Sequence, residues 1–257
     1  MTTTSLSALA PERPIVHTME GWTCVTLQSI PSTNDYARGL SEWNAVRAED
    51  QTSGRGRHGR SWQSKRGGVW LSAVIPTREA APWEFLPLLA GLTVIETLRD
   101  LGVRGLRLRW PNDVMCESRK LAGVLVEKTS PGRAIIGIGL NVFNHPAEDS
   151  AELEKIAVSL SELTDVPLGL EDITTRLLQA LSHRHHAFVH GGIASLISTL
   201  QEHWGQPRRV RCQLDDGEVT GLFGGVDEAG HLRIFVEEGH QRILPATKVK
   251  LLTEESF

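Results

Sequence analysis

The sequence predicts an α+β chain in two parts, a sheet-and-helix unit over 1–206 and a small all-β unit over 207–257. Three observations predict this division. Up to residue 204, alternating or β-branched runs are interspersed with stretches whose apolar residues recur at helical spacing. From Arg209 to Leu252, turn clusters recur regularly over about 45 residues, the pattern of a small barrel. Pro207 marks the change from one pattern to the other.

Each element follows in order. Residues 1–14 read as a loose polar tail, broken by Pro11 and Pro14. Trp22–Ile30 reads as a strand, and Ser32 or Thr33 caps a helix that carries Tyr36, Ala37 and Leu40. A short strand is predicted over 44–50 and another over Val69–Ile75. Trp83–Leu101 places Leu86, Leu89, Ala90, Val94, Ile95 and Leu98 at helical spacing, and Gly102 stops it. Leu106–Trp110, Leu121–Glu127 and Ala134–Val142 read as strands, the last two joined by a polar turn over Lys128–Arg133 that contains Pro131-Gly132. Residues 151–204 read as helix in two or three segments. The barrel strands are predicted at Val210–Leu214, Val219–Val226, Leu232–Val236, Gln241–Leu244 and Val249–Leu252.

Composition narrows the function classes. The chain has 257 residues, enough to bury a core without metal or disulfide staples. Its formal net charge is -4, against a nucleic-acid protein, which would carry a basic excess. Its three cysteines are scattered, as in a reducing compartment. No apolar run approaches the roughly 18 residues that span a bilayer, and the N-terminus lacks the form of a secretory signal. The expected location is the cytoplasm, with no membrane and no nucleic-acid partner.

Four segments carry chemistry. The first is Gly54-Arg55-Gly56-Arg57-His58-Gly59-Arg60-Ser61. It approaches the P-loop spacing, but neither the buried strand before it nor the helix after it is present, so that reading fails. Its glycines allow close backbone approach to an anion, and its arginines are forked donors for phosphate or carboxylate. Such dense like charge predicts a loop that is mobile until an anion orders it. A flexible basic surface loop accounts for the same residues. The second segment, Arg109-Trp110-Pro111-Asn112-Asp113, presents an amide and a carboxylate at a strand end, though taken alone it reads first as an ordinary Pro-Asn-Asp turn. The third places Lys120 just before a buried strand, with Leu121-Ala122-Gly123 behind it, where it suits a carboxylate that becomes an acyl phosphate; taken alone it reads first as a strand-flanking surface lysine. The fourth, Gly137-Ile138-Gly139-Leu140-Asn141, has its glycines inside a strand, so it is no dinucleotide turn; they mark close approach of a flat ligand or a helix. His183, His186 and His190 share a helix face, with no further ligand to complete a metal set.

Together with Ser32-Thr33-Asn34, Gln51 and Trp62, these segments resemble biotin–protein ligases, in the family's order and at similar separations over about residues 25–145. The resemblance implies a mixed β-sheet backed by helices, the class II synthetase-like catalytic domain of biotin and lipoate ligases, then a C-terminal SH3-like β-barrel. It implies activation of biotin by ATP to biotinyl-5′-AMP, with Mg2+ accompanying the ATP, and transfer to a lysine of a biotin carboxyl carrier protein. Ser32, Thr33, Asn34 and Gln51 would border biotin, with Gly54, Arg55, Gly56 and Arg57 closing over it. Lys120 would touch the biotin carboxylate and the α-phosphate, and with Arg57 form the catalytic pair. Gly123, Gly137 and Gly139 would line the slot. Trp62 would cover the adenine, Arg57, Arg60, Asn112 and Asp113 would face the phosphates, and Asn141 the nucleotide. No protein metal site is implied; magnesium would ride on the ATP phosphates, near Asp113.

Two departures matter. The family usually has lysine where this chain has Arg109, which keeps the charge but changes its shape, so Arg109 is left outside the catalytic set. Some members begin with a winged helix of about 60 residues and repress transcription; about 30 residues precede Ser32 here, and no operator binding is expected. The sequence does not choose between monomer and homodimer. The rival readings are a lipoate–protein ligase and an RNA-binding module using the same arginines; net acidity and few aromatics weigh against the second.

Overall fold

The computed structural model describes residues 14–19, 21–77, 83–130, 132–146, 151–164, 169–205 and 208–255. Residues 1–13 of the tail predicted over 1–14, Pro131 and the boundary residues 206–207 lie outside the described residues. Its larger part is an eight-stranded sheet in the order β1-β2-β3-β4-β8-β7-β6-β5. The strands are β1 Ile15–Met19, β2 Trp22–Ile30, β3 Asn44–Gln51, β4 Val69–Pro76, β5 Leu106–Arg109, β6 Asp113–Cys116, β7 Arg119–Ser130 and β8 Arg133–Leu140. β2 and β3 run parallel, joined through the short helix α1, Thr33–Ala37; the other pairs are antiparallel, so the sheet is mixed as expected.

The two faces of the sheet differ because residues alternate along each strand. On β8, Ile136, Ile138 and Leu140 enter the main core, while Ile135, Gly137 and Gly139 face the other way. The core face is covered by α2, Phe85–Asp100, and α4, Leu170–His203, which kinks where Gly192 takes φ 73°. α2 is buried nearly all round, from Phe85 to Leu98, as suits a helix between a sheet and a second helix. The opposite face carries α1 over a small apolar patch of Ala37, Val46, Val74 and Ile135, and leaves the rest of that face open. A further α-helix among the described residues is α3, Ala151–Ile156.

A five-stranded antiparallel sheet, in the order β12-β11-β10-β9-β13, forms the C-terminal unit: β9 Arg209–Gln213, β10 Glu218–Val226, β11 Leu232–Phe235, β12 Gln241–Leu244 and β13 Leu251–Glu255. It docks on the edge of the large sheet. Arg107 of β5 pairs with Glu254 at 2.6 Å, and Arg208 meets the same carboxylate at 2.6 Å. The Trp110 indole N–H donates to the Gly230 carbonyl at 3.1 Å, so this tryptophan, whose motif was read only for its Asn and Asp, also ties the two units together.

The structure corrects four element readings. β1 and β6 were not predicted; one is a short edge strand with Ile15 and Val16 exposed, the other only four residues behind a proline turn. Lys128–Ser130 continues β7 rather than forming the turn, because a hairpin end can leave the sheet's protected zone and still pair its backbone. The last strand begins at Leu251, since Ala246–Lys248 forms a 3-10 turn whose end takes up Val249.

Candidate active site

A cavity of about 510 Å³ opens on the α1 face of the sheet. Every residue to which the resemblance gives a place at biotin or ATP, except Gly54, borders it. Strands β7 and β8 form its floor, α1 one end, the Arg-Gly loop its cover, and residues 249–253 of the C-terminal unit a side wall.

The α1 end is a buried network of neutral hydrogen bonds with one carboxylate. Ser32 caps the helix, its hydroxyl accepting from the Asp35 N–H at 3.5 Å. Gln51 Oε1 accepts from the Thr33 N–H at 2.8 Å and from its hydroxyl at 3.0 Å, and Gln51 Nε2 donates to Ser64 at 2.8 Å. Asn34 donates to Glu127 at 2.8 Å. The Ser72 hydroxyl lies 2.7 Å from Thr33 Oγ1 and 2.6 Å from Asn34 Oδ1, binding β4 to the helix. Ser64, Ser72 and Glu127 escaped the sequence reading. The signal for Ser72 was available: one hydroxyl in the otherwise apolar run Val69-Trp70-Leu71-Ser72-Ala73-Val74-Ile75.

The glycines of the floor have distinct tasks. A Cβ on Gly137 would lie 2.4 Å from Asn34 Oδ1, and one on Gly139 would lie 2.6 Å from Trp62 Nε1. On Gly123 it would come within 3.0 Å of the Lys120 ammonium and 3.1 Å of Trp62. The close approach inferred from glycines in a strand is therefore made by α1 at one site and by the Trp62 indole at the others. The indole nitrogen is buried and has no hydrogen-bond partner among the described residues. Gly54 stands behind the cover, where a side chain would meet the Trp62 carbonyl at 2.5 Å.

The Arg-Gly loop folds back on itself through isolated bridges Gln51↔Ser64 and Arg55↔Ser61. Its tip is a 3-10 turn, Arg57–Gly59, with His58 at φ 56°. Its arginines are separated rather than left to repel. Arg55 forks the Asp35 carboxylate at 2.8 and 2.6 Å, and this hydrogen bond is the main reason that Asp35 sits below the usual carboxylate range, against the opposing effect of burial. Arg57 donates to the Ala246 carbonyl at 2.6 Å and approaches that of Val249 at 3.4 Å; Arg60 donates to the Lys250 carbonyl at 3.0 Å. The cover thus rests on main-chain oxygens of the C-terminal unit, a contact that the sequence did not announce.

At the other end, charge dominates. Asp113, at the start of β6, meets Lys120 Nζ through Oδ1 at 2.6 Å and Arg109 Nη2 through Oδ2 at 2.6 Å. Burial alone would raise the Asp113 pKa, but the charges and hydrogen bonds of Lys120 and Arg109 outweigh it and hold the carboxyl below its ordinary value. Lys120 also lies over the Trp62 ring, 4.8 Å from its centroid. Burial lowers the Arg57 pKa, with Asp113 opposing and Arg60 reinforcing the shift. Arg57, Arg60, Arg109 and Lys120 border one cavity with Asp113 between them, so the local charge is strongly positive and suited to an anion. Asn112 and Asn141 are less available than their motifs imply. The Asn112 amide donates to the Val124 carbonyl at 2.7 Å; the Asn141 amide donates to Val158 at 3.2 Å and its oxygen accepts from Asn144 at 3.0 Å.

Among the described residues no three His, Cys, Asp or Glu side chains are grouped to hold a metal ion. His186 and His190 stack at 4.0 Å on α4 without a third ligand. No helix among the described residues is long and apolar enough to cross a membrane.

Known proteins resemble this arrangement. Residues 26–141 match the model of the biotin/lipoate A/B protein ligase family. The chain is 33% identical over 192 residues to the biotin–acetyl-CoA-carboxylase ligase of Mycobacterium tuberculosis, covering 72% of this chain and 70% of that protein. It is 30% identical to the bifunctional ligase/repressor BirA of Bacillus subtilis, over 84% of this chain and 70% of that one. The structure of the biotin protein ligase from Aquifex aeolicus in complex with biotin and ATP superposes with a TM-score of 0.79 at 29% identity, over 90% of this chain and 99% of that chain.

Proposed function

The chain belongs to the biotin/lipoate A/B protein ligase family, and from its site we infer that it is an ATP-dependent biotin–protein ligase. The biotin carboxylate attacks the α-phosphorus of ATP, diphosphate leaves, and biotinyl-5′-AMP remains. A lysine amine of the acceptor protein then attacks the acyl carbon and AMP leaves. The observation that carries this reading is the pairing of ends in one cavity: a neutral hydrogen-bonding end at Thr33, Asn34 and Gln51, and a cationic end around Asp113. The first suits a polar ring without charge, the second two anions that must meet.

The roles of individual residues follow from that division. Lys120 exchanges Asp113 for the biotin carboxylate and an α-phosphate oxygen. Arg57 and Arg60 leave neutral main-chain oxygens for phosphate, since an ionised acceptor makes the stronger hydrogen bond. The loop with Arg55 and Gly56 covers the acid, and Trp62 meets the adenine over Gly123 and Gly139. Water is thereby kept from an adenylate prone to hydrolysis. Asn112 and Asn141 contribute by holding the cavity wall. Magnesium arrives as part of the ATP substrate; Asp113, with both oxygens engaged by cations, is poorly placed to recruit it alone. The acceptor is the carrier domain of a biotin-dependent carboxylase, and the reaction takes place in the cytoplasm.

Pyrophosphate release tests the reading. It is expected with biotin, ATP and Mg2+, and not when lipoate replaces biotin; release with lipoate alone would replace biotin with lipoate as the substrate.

A further inference from the structure

Arg109 ends β5 and stands opposite Asp113 across the β5–β6 hairpin, and Lys120 projects from the adjoining strand β7. One carboxylate therefore lies between two cations, with Oδ2 given to Arg109 and Oδ1 to Lys120, each at 2.6 Å. On the reading of the chain as a biotin-activating enzyme, we propose that Arg109 is a positioning residue for adenylate formation. By holding Oδ2 of Asp113 it restricts that carboxylate to a one-oxygen grip on Lys120, which aims the ammonium over the slot and lets it change partner when substrate oxygens arrive.

Two physical effects support this. A carboxylate anchored at one oxygen cannot rotate freely about its Cβ–Cγ bond, so the direction of its other oxygen is set, and with it the ammonium. The Arg109 charge also offsets that of Asp113 as felt by Lys120, because both cations face the same partly buried carboxylate. Without Arg109, both oxygens could close on Lys120 and hold it away from substrate. The contact uses a single nitrogen and a single oxygen, which a lysine could also make. Arg109 acts through Asp113; its near nitrogen is already spent there.

The test is a double-mutant cycle in the full chain, following pyrophosphate release at varied biotin and ATP, with melting curves to verify folding. Arg109→Gln is expected to lower kcat about 10- to 100-fold, the size of effect that a small misplacement of a reacting group produces. KM for ATP and for biotin should stay within about threefold. Combined with Asp113→Asn, the Arg109→Gln change should cost nothing further, because the two act as one unit. Arg109→Lys, which keeps the single contact, should stay within about threefold of the parent in kcat, and it decides the matter should the glutamine variant melt. A raised KM for ATP with kcat kept would make Arg109 a direct phosphate ligand and overturn the proposal. Full additivity with Asp113→Asn, unchanged kcat in Arg109→Gln, or a tenfold loss in Arg109→Lys would overturn it too. A parent chain that releases no pyrophosphate with biotin would instead overturn the activity on which the proposal rests.

Discussion

The two ends of the cavity are built on opposite principles. At the α1 end, Thr33, Asn34, Gln51, Ser64 and Ser72 satisfy one another through short, mostly neutral hydrogen bonds, with Glu127 closing the set. At the Asp113 end, cations outnumber the carboxylate and lean on partners that an incoming anion can replace. The neutral end is held by its own bonds, so the hydrogen-bonding positions left over are fixed in direction and can discriminate among polar rings. The charged end holds its groups by exchangeable contacts, so it can follow charge as it moves from carboxylate and phosphate to leaving diphosphate.

The comparison breaks most visibly at Lys120. Lys120→Ala should slow adenylate formation by about 10²- to 10³-fold in single-turnover pyrophosphate release, with the fold kept. Near-normal rates would mean that the charged end does not depend on it. Arg57→Gly should have a smaller effect on the rate of activation but let biotinyl-AMP escape, which mass spectrometry would detect as indiscriminate labelling of bystander lysines. Labelling confined to the carrier would refute the idea of a cover.

The neutral end should respond differently. Ser72→Ala removes the hydroxyl between Thr33 and Asn34, costing about 1–2 kcal/mol of stability and raising KM for biotin about tenfold while leaving KM for ATP alone. An equal change in both constants would erase the distinction between the ends. The smallest effect concerns acid. Asp113 has a folded-state pKa below its unfolded value, so its contribution to stability is present above pH of about 4 and fades as pH falls through the lower folded value. Melting temperatures of the parent and of Asp113→Asn should therefore differ at neutral pH and converge in acid. A constant gap would show that the ion line adds nothing to the fold.

Much of this arrangement was legible in the sequence because it rests on side-chain periodicity. The alternation Ile135-Ile136-Gly137-Ile138-Gly139 declares one packed face and one face open to close approach. Ser32 announces its helix, and the charged and glycine-rich loop announces an anion. The hidden parts rest on the main chain or on chance neighbours. Ala246, Val249 and Lys250 receive the loop arginines through carbonyl oxygens that every residue possesses, so no pattern distinguishes them. Asn112 and Asn141 border the cavity and also donate to nearby backbone carbonyls, which a motif cannot reveal. The shape of its guanidinium keeps Arg109 out of the motif's catalytic set, and its place on the cavity wall and its distance to Asp113 bring it into the site.

The carbonyl seat of the loop has a practical side. A contact made to main-chain oxygens reads the path of the chain at 246–250 and ignores which side chains hang from it. The exposed side chains of Thr247, Lys248 and Lys250 could then be recoded, with buried Val249 kept, and the turn would still receive Arg57 and Arg60. Shortening or lengthening that turn by a single residue would displace the oxygens and unseat the loop. For anyone re-engineering this enzyme, loop length there is the quantity to preserve, and amino-acid identity is open to design only at the exposed positions.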